Sequence, residues 1–196
     1  PEGEQEIFSL DEMIKIWDPA RISKSPAIFD PLKLRAINAA YIRALPAEEF
    51  RKLADPFIDQ AVHVQINRDL LCANLQPRCE VLEDIPPQLD FFDAVLPIDA
   101  EMYRNKKQKT TPESAKEALS ALLPVLEAQT DWSRDAIFEA CKQKAEAMEK
   151  KNGWLLFPLG IALSGKARTP GGGTDLAAMM GKEETLRRLN AAIEAL

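Results

Sequence analysis

Arginines and lysines, rather than a nucleophile or a metal-ligand cluster, are the chemically suggestive residues of this 196-residue sequence. Its single histidine, His63, stands between Val62 and Val64, with no acid or cysteine at ligand spacing, and Cys72, Cys79 and Cys141 form no Cys-x-x-Cys pair. A zinc site needs three or four such ligands, so no metal is expected. The unpaired cysteines fit a reducing compartment. The run Gly171-Gly172-Gly173 is followed by Thr174-Asp175. A phosphate loop requires Gly-Lys-Ser/Thr at that point, so the run reads as a turn. What remains is cationic. Arg78 follows Pro77, Lys166 and Arg168 flank a turn that includes Pro170, and Arg104, Lys106, Lys107 and Lys109 crowd one short polar stretch. Such side chains suit phosphates, because each neutralised phosphate releases counterions. An arginine fork can also meet the acceptors of a base edge.

The net charge of −6 argues against a polyanion partner until its distribution is counted. Residues 1–101 hold 10 basic and 19 acidic side chains, residues 102–141 hold 6 of each, and residues 142–196 hold 9 basic and 6 acidic. The front half is acidic and the rear basic, so one face can attract what the whole repels. The stretch from Arg104 to Lys109 has two readings, a solvated connector or a phosphate-contacting stripe.

Helices must position these residues, and their starts are well marked. Ser9-Leu10-Asp11-Glu12 is a capping box, and the short helix it opens ends near Asp18-Pro19. Asp30-Pro31 is a cap followed by proline at the first helical position, with Leu34, Ile37, Tyr41 and Leu45 on one face. Pro46 starts the next helix, with Phe50, Leu53 and Phe57 inward and Pro56 kinking or ending it. A longer helix is predicted over 61–75, with Val62, Ile66, Leu70 and Ala73 as its stripe. Thr111-Pro112-Glu113 restarts a helix through Leu119, Leu122 and Leu126. Asp131 or Ser133 caps another, with Ile137, Cys141 and Met148 inward and a stop at Asn152-Gly153. Residues 155–163 show a weak strand alternation. Two helices, 174–180 and 182–195, finish the chain. The expected fold is all-α: a short helical segment over 1–45, then two small helical subdomains over 46–108 and 109–196, with the seam within 99–111. No repeat at 30–45 residues is visible, which argues against a helical solenoid. The longest apolar run, Trp154 to Leu163, is ten residues and is broken by Pro158 and Gly160, short of the ~18–20 a membrane span needs. The acidic opening does not look like a signal peptide, and the missing initiator Met suggests a fragment of something longer. A cytoplasmic setting is expected.

Two stretches carry a family resemblance. Arg21-Ile22-Ser23-Lys24-Ser25 resembles the Lys-Met-Ser-Lys-Ser loop with which class I aminoacyl-tRNA synthetases hold ATP. Such a site also needs a His-x-Gly-His motif on a nucleotide-binding fold, so we read this one as a decoy. The sequence around it is more telling: Ser25-Pro26-Ala27-Ile28-Phe29-Asp30, Lys33-Leu34, Asn38 and Tyr41-Ile42-Arg43 resemble the region downstream of the catalytic fold in bacterial glutamyl-tRNA synthetases. Pro158-Leu159, Ala162-Leu163-Ser164-Gly165, Thr169-Pro170-Gly171 and Gly181-Lys182-Glu183-Glu184-Thr185-Leu186-Arg187-Arg188-Leu189 resemble the carboxy terminus of that family. Gln76-Pro77-Arg78 falls where its middle anchor stands.

The resemblance implies that residues 1 to about 45 are stem-contact region and that the rest is a helical anticodon-binding cage. It implies tRNA(Glu) as partner, and tRNA(Gln) as well in a non-discriminating member, with no DNA and no membrane. ATP and magnesium would belong to the parent enzyme, a glutamate–tRNA ligase, with no cofactor and no catalytic residue in this chain. Arg78 would read the third anticodon base, the cytosine that distinguishes glutamate tRNA from glutamine tRNA; the bland alternative pairs it with Glu80, Glu83 or Asp84. Lys166, Arg168 and Pro170 match the contact loop of the family, and Arg104, Lys106, Lys107 and Lys109 would touch tRNA backbone. Two departures stand out: Gly160 where many relatives carry an arginine, whose role is not carried over, and Ala36 where many carry tryptophan. The competing functions are a non-discriminating synthetase and a helical protein-interaction module without an RNA role.

Overall fold

Helices begin where the sequence supplies a cap, and this sets most of the architecture. The structure is a computed structural model that describes residues 7–21, 28–94 and 96–196; the decoy motif falls almost entirely outside them. Ser9 and Glu12 exchange hydrogen bonds of 3.2 and 2.7 Å to open α1, Leu10–Ile16. Asp30 accepts from the amides of Leu32 and Lys33 and opens α2, Pro31–Ala44. Helix α3, Ala47–Ile58, continues two residues past Pro56 before it ends. After α4, Arg68–Leu75, the chain makes single 3-10 turns at Gln76–Arg78, Leu82–Asp84, Pro86–Gln88 and Ala100–Tyr103. Thr111 caps α5, Pro112–Ala128, and Ser133 caps α6, Arg134–Ala147. The chain ends with α7, Asn152–Ser164, α8, Gly173–Met180, and α9, Lys182–Ala195. Among the described residues there is no strand, only an isolated bridge between Asn105 and Thr110. No helix among them is long and apolar enough to cross a membrane.

Packing explains where sequence expectations needed correction. The weak alternation over 155–163 is helix α7, which is apolar on every side because α5, α6, α8 and α9 surround it. Asn152-Gly153 therefore opens a helix rather than closing one. The helix predicted over 61–75 begins only at Arg68, where Asn67 caps it by accepting from the Leu70 amide at 3.1 Å. Upstream, the Asp93 carboxylate takes the amides of His63 (2.7 Å) and Val64 (3.3 Å), so a tertiary contact replaces the helical ladder there. Its buried residues are Leu71, Cys72 and Leu75 rather than Leu70 and Ala73. In α3 Phe50, Ala54 and Ile58 face the core, while Leu53 is half exposed. In α2 the buried residues are Ala39 and Ile42; Leu34 and Tyr41 point outward. One core cluster runs from Ile42 to Ala192, with α3 against α4, α5 to α9 against one another, and α4 against α8.

Among the described residues Arg188 is the one buried charge, 1% exposed. Its guanidinium donates to the carbonyl oxygens of Phe91 (2.6 Å), Phe92 (2.7 Å) and Leu163 (2.7 Å), and to Glu184 at 2.5 Å. Glu184 also receives both ends of the Arg187 fork at 2.7 Å. These bonds, that of Arg187 foremost, hold the Glu184 carboxyl down at about 2, against an ordinary 4.5. A depressed carboxylate stabilises the fold fully above its unfolded value and loses that contribution as the pH falls toward its folded value. The loss therefore spans pH 4.5 down to about 2. Discounted for a partly exposed side chain, it is worth roughly 1–2 kcal/mol. Glu184→Gln should lower stability at pH 7 by that amount and flatten the acid limb of a urea-midpoint-versus-pH curve. An unchanged acid limb would show that Glu184 titrates normally.

Candidate nucleic-acid interface

The loop after α7 is built by its own polar atoms. Gly165 closes α7 in the left-handed region (φ 66°), and its amide donates to the Ile161 carbonyl at 2.8 Å. A β-carbon there would stand 2.9 Å from that of Leu96, so backbone conformation and space both select glycine. Ser164 turns its hydroxyl to the Gly160 carbonyl (2.7 Å) and accepts from the Lys166 amide (3.0 Å). Thr169 bonds the Gly171 carbonyl at 2.6 Å, and Asp175 accepts from the Gly172 amide at 2.8 Å, which opens α8. At Gly173 a β-carbon would meet the Leu156 carbonyl oxygen at 2.8 Å and the Gly160 amide nitrogen at 2.9 Å. Helices α7 and α8 therefore touch backbone to backbone. Between loop and helix lies a hollow of about 150 Å³ lined by Leu156, Phe157, Gly160, Ile161, Thr169 and Gly172, among others.

The structure joins two of the sequence anchors. Arg78 ends a 3-10 turn begun by Gln76, whose side chain donates to the carbonyls of Ile42 (3.0 Å) and Leu45 (2.8 Å). That fixes the turn, and Arg78 Nη1 comes to 3.5 Å from the Thr169 carbonyl, across 91 residues of sequence. Two of the three acids that could have claimed Arg78, Glu80 and Asp84, are held by another arginine. Arg35 of α2 donates to Glu80 at 2.9 Å and pairs with Asp84, while Asn38 holds the Glu80 carbonyl at 2.5 Å. Arg78 is left exposed with only a long, weak bond to the loop.

The other candidates divide. Lys166 is mostly committed within the fold, donating to the Pro87 carbonyl at 3.0 Å and pairing with Asp90. Arg168 is exposed and, among the described residues, in no ion pair. Pro170 is buried and shapes the loop from beneath. Gly160 opens onto the hollow, where a β-carbon would meet nothing nearer than the Gly173 amide nitrogen at 3.7 Å. Arg104 is paired with Glu101 (2.7 Å), and the stretch from Lys106 to Lys109 lies at the opposite end of α7 from the loop. His63 is exposed beside Asp93, and the three thiols are buried, which pushes Cys141 up to about 12. Among the described residues no group of three or more metal-binding side chains exists.

Sequence reasoning missed Arg35, the residue that holds Glu80 and Asp84, and Arg188, which ties Leu163 just ahead of the loop to the core. Lys33-Leu34 and Arg187-Arg188 lay in the quoted motifs, but nothing local distinguishes a surface arginine from a buried one.

Comparison with known proteins gives consistent matches. The family described as "Anticodon binding domain" matches residues 38–193. A glutamate–tRNA ligase of Clostridium botulinum (strain Hall) is 42% identical over 196 residues, all of this chain and 40% of that protein. One from Clostridium acetobutylicum is 42% identical over 198 residues, covering 41% of that protein. The crystal structure of a glutamate tRNA ligase from Elizabethkingia meningosepticum superposes with a TM-score of 0.80 at 27% identity, over 98% of this chain and 38% of that one. The chain thus spans about 40% of the length of the curated relatives it matches.

Proposed function

Because this chain belongs to the anticodon-binding domain family, we propose that it is the anticodon-reading part of a glutamate–tRNA ligase, with tRNA(Glu) as its ligand. The observation that carries this reading is Arg78, set against the loop at Thr169 while Arg35 holds Glu80 and Asp84. An unpaired arginine fork beside a hollow with an apolar floor suits single-stranded RNA, whose unstacked bases are read on their hydrogen-bonding edges while basic side chains fix the backbone. Arg78 supplies the edge contact and Arg168 a phosphate contact. Lys166 holds the loop to the turn at Pro87.

The catalytic fold, ATP and magnesium belong to the part of the parent outside this chain, and no step of that chemistry is assigned here. Residues 1–45 form the contact region toward that part. The exposed large apolar side chains of Leu10, Met13, Ile14, Trp17, Phe29 and Leu32 support this, since so many on one short stretch of chain suit a covering surface. Residues 46–108 and 109–196 are taken as the two units of the cage. The parent works in the cytoplasm and takes neither DNA nor membrane as partner. Discrimination against tRNA(Gln) rests on Arg78.

A filter-binding titration against tRNA over a salt series tests the reading. Affinity should fall steeply with salt, and Lys166→Ala with Arg168→Ala should lower the log–log slope by roughly 1, the phosphate contact of Arg168. Salt-independent binding, or none, would point instead to a protein-interaction module.

A further inference from the structure

Four lysines from two distant stretches of sequence meet around one cavity of about 340 Å³. Lys107 and Lys109 come from the turn closed by the Asn105–Thr110 bridge, Lys150 and Lys151 from the link between α6 and α7, with Gln108, Glu149 and Trp154 completing the wall. All four are exposed, and among the described residues none is in an ion pair, although Glu149 lies in the same wall. Six arginines elsewhere, Arg35, Arg51, Arg68, Arg104, Arg134 and Arg187, each have a carboxylate, so what sets this wall apart is the convergence of four lysines on one concavity. Four exposed lysines against the one carboxylate of Glu149 make this wall locally positive in a chain of net −6, which suits a polyanion. The concavity is held in shape. Lys109 and Glu149 both adopt positive φ (56° and 54°), Lys150 sits 5.1 Å from the centre of the Trp154 ring, and Gln108 lies over Gly153, where any β-carbon would collide with it. The first turn of α7, which ends at this wall, carries no acidic residue to compete with an incoming anion.

Position identifies the occupant. Gly153, beneath Gln108, and Gly160, in the hollow beside the anticodon-facing loop, are seven residues apart on one helix, two turns along the same face. At 1.5 Å per residue the two sites lie about 10 Å apart along α7. We infer that the Lys107–Lys109–Lys150–Lys151 cavity holds backbone phosphates of the anticodon stem, gripping tRNA without regard to sequence while the loop at the other end of α7 reads the anticodon. This rests on the reading of the chain as an anticodon-binding module, and it separates grip from discrimination.

The test is a variant of the complete protein with Lys107→Gln, Lys109→Gln, Lys150→Gln and Lys151→Gln, titrated over a salt series. Two RNAs read the grip: tRNA(Glu), and a hairpin of its anticodon stem closed by an unrelated tetraloop; a third, tRNA(Glu) with its third anticodon base changed to guanine, reads the anticodon preference. The inference expects affinity for both to fall by about ten- to a hundredfold near 0.1 M salt, with the slope lower by about 1–2 and the preference between anticodons unchanged. As a second measurement on the unaltered protein, the hairpin should shield Lys150 and Lys151 from reductive methylation, read by mass spectrometry. Unchanged affinity on both RNAs, unshielded lysines, or a lost anticodon preference would each overturn it. The anticodon reading fails on a different result, namely no difference between anticodons in the unaltered protein while hairpin binding persists.

Discussion

Replacing Arg188 with methionine lowers the unfolding free energy by about 3–5 kcal/mol, the usual cost of removing one partner from a buried charged network. Methionine can follow much of the aliphatic stem, so volume is not the main loss. The loss is three carbonyl oxygens, of Phe91, Phe92 and Leu163, that the guanidinium now satisfies within 2.7 Å. Each buried carbonyl left without a donor costs about 1–3 kcal/mol. Leu163 lies at the end of α7, where a cation also complements the helix dipole. Lysine, with one ammonium in place of a planar fork, cannot span three carbonyls and the Glu184 carboxylate, so Arg188→Lys should recover only part of the stability. Urea unfolding followed by tryptophan fluorescence gives both values. A loss under about 1 kcal/mol for the methionine variant would mean that the three carbonyls find other donors.

The second large effect is on specificity. On the proposed reading Arg78→Gln reduces the preference for glutamate tRNA over glutamine tRNA by about 1–3 kcal/mol, roughly 5- to 150-fold, the worth of a good bidentate base contact. Arginine offers two parallel donors to the O2 and N3 acceptors of an unpaired cytosine, whereas guanine is larger and presents a donor on the same edge. Glutamine carries both a donor and an acceptor and discriminates less. Stability should barely change, because Arg78 is exposed and bound only at 3.5 Å. Charging efficiencies of the full-length variant on both tRNAs decide the matter. Equal losses on the two would remove Arg78 as the reader. A companion change, Arg35→Ala, would release Glu80 and Asp84 to compete for Arg78, and should weaken discrimination in the same direction.

How much of this was legible in the sequence depends on how local each signal was. The caps at Ser9, Asp30 and Thr111 are decided by side chains within three residues, and the structure has them as expected; of the two candidates Asp131 and Ser133 it selects Ser133. Helix α7 misled because its apolar residues have no polar face to reveal a helical period; only the four helices around it make sense of that. The stretch before Arg68 misled because its amides answer to Asp93, about 30 residues away. The candidate site divides along the same line. Arg78 and the loop at 165–173 were visible through motifs, whereas their contact across 91 residues was not. Arg188 sits four residues from Glu184 and reads as half of a solvated helical pair; its burial follows from carbonyls 25 to 97 residues distant. Lys150 and Lys151 gain meaning only once the turn at Lys107 folds beside them.

The central claim is that the face around Arg78 and the loop reads an anticodon. Its most direct measurement compares the affinity of the protein for a tRNA(Glu) transcript and for the same transcript with the third anticodon base changed from cytosine to guanine, at one fixed salt concentration. The account predicts weaker binding to the altered transcript by about 1–3 kcal/mol, within the range of a single mismatched base contact. Equal affinity for the two transcripts would contradict it.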